Sequence, residues 1–552
     1  MKSVCLVCAL LAATSMLAAG QPGPSPIVDT TSGRVVGLFT KQAQVFRSIP
    51  YARPPVGAMR WKDPLPPFPV PGILQATEDP PGCPQTLPCV LPLPQFLCPK
   101  KVSEDCLFLN IFTPLTATPT SKLPVMVFLH GGNFLRGYSG GGLYDGQYIA
   151  NTTSTIVVTV NYRLGAIGFL AFGEGDNAPK GNYGIKDQRL ALEFVRDNVV
   201  NFGGNPEEVT LWGQSAGAVS VVLHMASLRS AGLFNKAIIE SDPFSITLKD
   251  LNKAKKLGED FVKAIGCKDI ECLYAKSIED IAEAQFAVLS KIVDLRHVLE
   301  IFLQWTPIVD GVDVLEQPID VFTQGKITPM PAIIGTTSEE TVFFIYEGFP
   351  KPLSAAELDL LELGIFGTHY PAVHNIYSPT KNQDNRPIAA VMGTEYTFSC
   401  STREAIWGLT NLTQSSKARN PLWVYAFNHS MSFDWGKGFE FCNGHACHGV
   451  ELPFVFHTAN LGGLNYTADE LVLTNTMVDY WTNFAHTGNP NGYINRAEKR
   501  PSKLLEWPQY RVDPSTGTKA SNCLRFKAPN SEVIQDYMGD TCRFWDSIGY
   551  NV

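Results

Sequence analysis

The sequence predicts an α/β fold: a largely parallel central sheet, flanked by helices and interrupted by long insertions. Short apolar, β-branched runs recur at 125–129, 155–160, 209–212, 237–239, 332–334 and 422–427, the composition expected of strands buried on both faces. Helical patterns lie between several of them, as over 184–202, where Leu190, Leu192, Phe194, Val195 and Val199 are the apolar positions. Such alternation is the mark of parallel strands joined by crossover helices. A third observation bears on organisation: no internal repeat, low-complexity tract or clear linker divides the chain, so residues 21–552 are expected to form one domain.

The first 20 residues, MKSVCLVCALLAATSMLAAG, stand apart. One Lys, a short apolar stretch and small residues at Ala18 and Gly20 match a secretory signal peptide cleaved after Gly20. A membrane span needs about 20 apolar residues, whereas Ser3, Thr14 and Ser15 interrupt this run. No later segment is long and apolar enough to span a bilayer, so a secreted protein without a stable membrane anchor is expected. Sequons at Asn151, Asn411, Asn428 and Asn465 fit that route as glycosylation sites. Cleavage removes Cys5 and Cys8 from the 13 cysteines and leaves an odd number, so one cysteine is left over where disulfides form. The formal charge of −8 mixes both signs without a long basic run, which gives nucleic acid no electrostatic footprint.

Chemistry first surfaces in VTLWGQSAGAVSV, where Gly213, Ser215 and Gly217 fall between a strand and a helix rich in Ala and Val. A tight strand-to-helix turn leaves no room for side chains beside the Ser, hence the glycines, and it presents the hydroxyl at a helix start that favours developing negative charge. A capping serine would need no chemistry, so the assignment of Ser215 as nucleophile depends on its companions. Gly137 to Gly141 fit the same G-x-S-x-G expression around Ser139, but in a glycine-rich loop without a strand before or a helix after. Ser139 is therefore read as loop structure.

Upstream, VMVFLHGGNF ends a strand with His130, Gly131, Gly132, Asn133 and Phe134. Glycines there let backbone N–H groups approach a substrate oxygen, and the amides of Gly132, Asn133 and Ala216 form the expected oxyanion hole. The two halves come in the order an α/β-hydrolase requires. With FRSIPYARPPVGAMRW, SEDCLFLNIFTP, NYRLGAIGFL, GNYGIKDQRLALEFVRDNVVNFGGNP and CHGVELPFVF, these blocks span almost the whole mature chain, which resembles the type-B carboxylesterase and cholinesterase family of the α/β-hydrolase superfamily. The third residue of the oxyanion loop is usually Gly in that family. Here it is Asn133, a residue that tolerates left-handed backbone better than most.

The resemblance implies a serine esterase with an acyl-enzyme intermediate, needing no metal or cofactor and acting on a small-molecule ester. The triad order is Ser, acid, His. Glu340, after the run PAIIG, aligns with the family's acid, with adjacent Glu339 as its rival. Of the histidines after the acid, those read in a loop following a late strand are His445 and His448, and the family pattern selects His448. The resemblance also implies disulfides Cys83–Cys106, Cys267–Cys272 and Cys400–Cys542. Cys442 and Cys447 bracket His445 and could close a small loop, and Cys89 could then pair with Cys98, which would leave Cys523 over; the sequence leaves these pairings open. Once Cys5 and Cys8 leave with the expected signal peptide, no CxxC or HExxH spacing suggests a metal.

Substrate class is narrowed by what the cholinesterase pattern lacks here. The interval from Cys83 to Cys106 holds no Trp to face a quaternary ammonium, and Gln214 stands where those enzymes carry Glu. Choline esters are poor candidates. Prolines at 84, 88, 92, 94 and 99 in the same interval oppose a helical lipase-type lid. Two other readings are weighed: a lipase of the same family, and a catalytically silent adhesion or structural protein, which would typically lack the nucleophile retained here.

Overall fold

A computed structural model describes residues 25–87, 94–175, 177–289, 303–413, 421–492, 504–511 and 522–550. The expected signal peptide lies outside them. Eleven strands form one sheet: β1 Leu38–Phe39, β2 Ala43–Pro50, β3 Phe108–Pro114, β4 Leu123–Leu129, β5 Ile156–Val160, β6 Gly204–Gln214, β7 Lys236–Glu240, β8 Ala332–Thr337, β9 Leu422–Phe427, β10 Asn522–Phe526 and β11 Glu532–Gln535. Their order across the sheet is β11-β10-β9-β8-β7-β6-β4-β5-β3-β2-β1. From β10 through β5 neighbouring strands are parallel; beyond β5 on one side and β10 on the other they are antiparallel.

All six runs read from sequence are strands of the parallel core. Every residue of β5 and β7 is buried, the two-faced burial that a continuous apolar run requires. Strand β6 begins at Gly204, earlier than its apolar portion, because Leu123 pairs with Gly204 across an irregularity that admits the polar stretch before Val209.

Helices cover both faces. The pattern over 184–202 resolves into α1, Tyr183–Asn198, followed by a 3₁₀ turn, Val199–Phe202. On α1, Asp187 grips Arg163 through two side-chain bonds of 2.6 and 2.7 Å, with both side chains fully buried. Helix α2, Ala216–Ala226, leaves the end of β6 through Ser215. After β8 come α3, Val342–Gly348, α4, Ala355–Phe366, and α5, Arg386–Gly393. Helix α6, Cys400–Thr413, follows, then α7, Ala468–Thr487, and α8, Gly539–Ile548. No described helix is long and apolar enough to cross a membrane.

The structure joins Cys83 to Cys106, Cys267 to Cys272, Cys400 to Cys542 and Cys442 to Cys447. Cys98 is disulfide-bonded, while Cys89 lies outside the described residues. Cys523 is a free, buried thiol that burial pushes up to about 12. Of the sequon asparagines, Asn151, Asn428 and Asn465 are exposed, and the side chain of Asn411 lies outside the description.

Candidate active site

Four segments at the carboxyl ends of the parallel strands converge, where such sheets place their ligands. The first is the turn from β6 into α2. Ser215 has φ 58° and ψ −124°, a strained conformation for a residue with a side chain, held by its N–H bonding to Glu240 O at 2.9 Å. Backbones crowd closely around it. A Cβ on Gly217 would lie 1.9 Å from Leu129 O, and one on Gly213 would lie 2.3 Å from Gly217 O. The two glycines of the motif are thus required by contact with the sheet end and with each other.

The second segment follows β4. Gly132 and Asn133 have φ 111° and 56°, so the Asn sits in the left-handed region that its side chain tolerates. Gly131 packs on the Ser215 turn: an added Cβ would come within 2.9 Å of Ser215 Cβ. The N–H groups of Gly132 and Asn133 donate no hydrogen bond to another described residue, and Ala216, opening α2, has no preceding helical turn to supply an acceptor. Beneath this loop, burial lowers His130 to about 4, so it is a neutral ring. Its Nδ1 lies 2.8 Å from Gly131 O and it stacks on Tyr162.

The third and fourth segments bring the acid and the imidazole. Glu340, fully buried on the turn after β8, accepts the Thr337 N–H at 2.7 Å through one oxygen and meets His448 Nδ1 at 2.5 Å through the other. Both carboxylate oxygens are therefore occupied, which offsets the cost of burial. Phe344 and Phe398 flank the imidazole, with ring centroids 5.0 and 5.3 Å away. On its other nitrogen, Nε2 accepts from the Gln214 amide at 3.1 Å. No hydrogen bond joins Ser215 to His448 in this arrangement, although both line one cavity. Catalytic hydrogen bonds are often loose without substrate, and Gln214 occupies the lone pair that a general base would use.

Two cavities meet at Asn133, Ser215 and Phe344. One, of about 790 Å³, forms the mouth and includes Gly131, Gly132, Gln214, His448, Trp435 and the Arg136–Glu347 ion pair. The other, of about 710 Å³, is lined almost wholly by apolar side chains, among them Ile246, Leu303, Phe349, Leu361, Ile365 and Met392. The Cys83–Cys106 interval contributes one helical turn, Pro94–Leu97, whose Leu97 reaches the mouth. A tryptophan does reach the mouth, but it is Trp435, outside the Cys83–Cys106 interval.

The neighbouring acid and histidine also pair. Glu339 binds His445 Nδ1 at 2.6 Å and the Ala446 N–H at 2.7 Å. Ser139 is buried away from both cavities; its carbonyl accepts from Asn110 and Thr159 and its N–H binds Asn161 Oδ1. Sequence reasoning did not find Phe344, Phe398 or the Gln214–His448 contact. Only the substitution at Gln214 offered a signal. Among the described residues one group could share a metal ion, Asp359, Glu362 and His374, and none of the three lines either cavity at Ser215.

Comparison with known proteins gives the same direction. A model of the carboxylesterase family matches residues 24–545. The chain is 35% identical over 534 residues to "Crystal protein" of Dictyostelium discoideum, covering 94% of this chain and 90% of that one. It is 31% identical over 530 residues to "Fatty acyl-CoA hydrolase precursor, medium chain" of Anas platyrhynchos, covering 91% and 89%. A solved structure titled thermophylic PNB esterase superposes with a TM-score of 0.77 at 29% identity, covering 95% of this chain and all of that one.

Proposed function

Because the chain belongs to the carboxylesterase family, we propose that its hydrolysis of carboxylic esters runs through an acyl-enzyme on Ser215, with His448 as general base and Glu340 orienting it. The chain is a carboxylic ester hydrolase of the α/β-hydrolase fold. One observation carries it: Ser215, the oxyanion-loop residues Gly132 and Asn133 with their free N–H groups, and the Glu340-bound imidazole all line the mouth cavity.

With Nδ1–H held by Glu340, Nε2 is the basic nitrogen. Substrate entering the mouth displaces the Gln214 amide, and Nε2 takes the Ser215 proton as Oγ attacks the carbonyl. Gly132, Asn133 and Ala216 N–H groups receive the oxyanion. Collapse returns the proton to the departing alcohol, and His448 then activates water to release the acid.

The almost wholly apolar cavity favours an ester whose acyl group is a hydrocarbon chain, since each buried methylene contributes about 0.8 kcal/mol. Export through cleavage after Gly20 and a single catalytic domain over 21–552 complete the proposal. Organophosphate labelling followed by peptide mapping tests the mechanism: the label is expected on Ser215, and active protein labelled elsewhere overturns it. A p-nitrophenyl ester series of increasing acyl length tests the cavity. N-terminal sequencing of protein from culture medium tests the cleavage.

A further inference from the structure

The loop carrying His448 is attached to the acid turn twice, by two adjacent glutamates gripping two histidines three residues apart. Glu340 holds the imidazole of His448. Glu339 holds the loop itself: one oxygen meets His445 Nδ1 at 2.6 Å, the other accepts the Ala446 N–H at 2.7 Å, and its own N–H donates to Ala446 O at 3.2 Å. Cys447, between Ala446 and His448, is tied to Cys442, so the loop is a closed ring whose shape changes little. That ring restrains the loop internally but does not fasten it to β8. Glu339 and His445 also line a surface cavity shared with Val342, Tyr346 and Glu395.

We propose that Glu339, acting with His445, is a positioning pair that fixes the backbone at 446–448 and so sets where the base imidazole meets Ser215. This rests on the reading of Ser215, Glu340 and His448 as the triad. As an ion pair, Glu339–His445 contributes little, since the two side chains are 38% and 45% exposed. Its effect is geometric. The three hydrogen bonds cross between acid turn and base loop beside the catalytic hydrogen bond, where an error of about 1 Å can cost on the order of a hundredfold in rate.

The test compares full-length E339A, E339Q and H445A with the parent enzyme in p-nitrophenyl ester turnover, organophosphate labelling rate and thermal melting. For E339A, kcat is expected to fall about ten- to a hundredfold, with KM within about twofold and labelling of Ser215 slowed in parallel. E339Q keeps an acceptor for the Ala446 N–H and a donor toward His445, and is expected to recover most of the loss. H445A, at an exposed position, should lose part of kcat with an unchanged melting temperature, and it serves as the readout if E339A does not fold. Parental kcat in E339A, or in H445A where E339A is unfolded, overturns the proposal. So does a loss in E339A that E339Q does not rescue. An S215A enzyme that still turns over removes the triad reading itself, whereas inert S215A beside fully active E339A removes only the positioning role.

Discussion

Replacing Gly217 by Ala tests how the sheet positions Ser215, the proposed nucleophile. The added Cβ would lie 1.9 Å from Leu129 O, 2.7 Å from Leu129 C and 3.1 Å from His130 O. Real contacts of this kind stay above 3.0 Å, so a displacement of about 1 Å is required. The strand end cannot readily yield: Leu129 is fully buried and pairs with Val160 on one side and Gly213 on the other. The start of α2 must move, and Ser215 is the N-cap residue joined directly to it. Overpacking of this size destabilises by about 1 to 3 kcal/mol, which a chain of this length can survive. If Ser215 is the nucleophile, the same displacement at its hydroxyl is expected to lower kcat/KM about a hundredfold, equivalent to about 2.7 kcal/mol of transition-state stabilisation. Steady-state hydrolysis of p-nitrophenyl butyrate beside a thermal melt measures both. A folded G217A enzyme with kcat/KM within about twofold of the parent would refute the reasoning, because relief of the clash could not then have reached Ser215.

Three further outcomes are expected. Asp187→Ala strands the fully buried Arg163 guanidinium and should destabilise the protein by about 3 to 5 kcal/mol, read as a lower urea midpoint. Burial pushes Glu240 up to about 8 while Trp481 Nε1 donates to it at 2.7 Å; a carboxyl protonated in the fold but ionised when unfolded contributes stability below the ordinary carboxylate range and loses it as pH rises toward 8. Urea midpoints of Glu240→Gln between pH 5 and pH 8 should accordingly fall less than the parent's, and parallel profiles would contradict this. Leu361→Phe narrows the apolar cavity and should cut kcat/KM for long acyl chains about tenfold while sparing the acetate, the loss corresponding to roughly two unburied methylenes; an equal effect on all chain lengths would argue that the acyl group lies elsewhere.

The parallel centre of the sheet was legible because its strands are dry on both faces, so β5 and β7 read as unbroken apolar runs. The margins were not. β1 is exposed at both residues and β11 is only half-buried, and such short, mixed segments carry no period to read. At the site, Ser215 was legible because its requirement is local: two glycines, a strand and a helix within a few residues. Placing Glu340 and His448 took chain order and family resemblance, since nothing beside either residue marks it as functional. The surroundings of the imidazole stayed hidden for a stronger reason. Gln214, Phe344 and Phe398 reach His448 from three different segments, and Glu339 meets His445 across 106 positions. Such contacts are properties of the packed chain and have no signature in any one stretch of it.

The bond between Cys400 and Cys542 has a practical corollary. Its two cysteines are 142 positions apart, with β9, the His448 loop, α7 and β10 between them. A protease cutting once anywhere inside that span leaves two pieces that still migrate as one on a non-reducing gel and separate only when thiol is added. Enzyme nicked in this way can keep His448 opposite Ser215, so intact mobility and retained activity do not by themselves certify an uncut polypeptide.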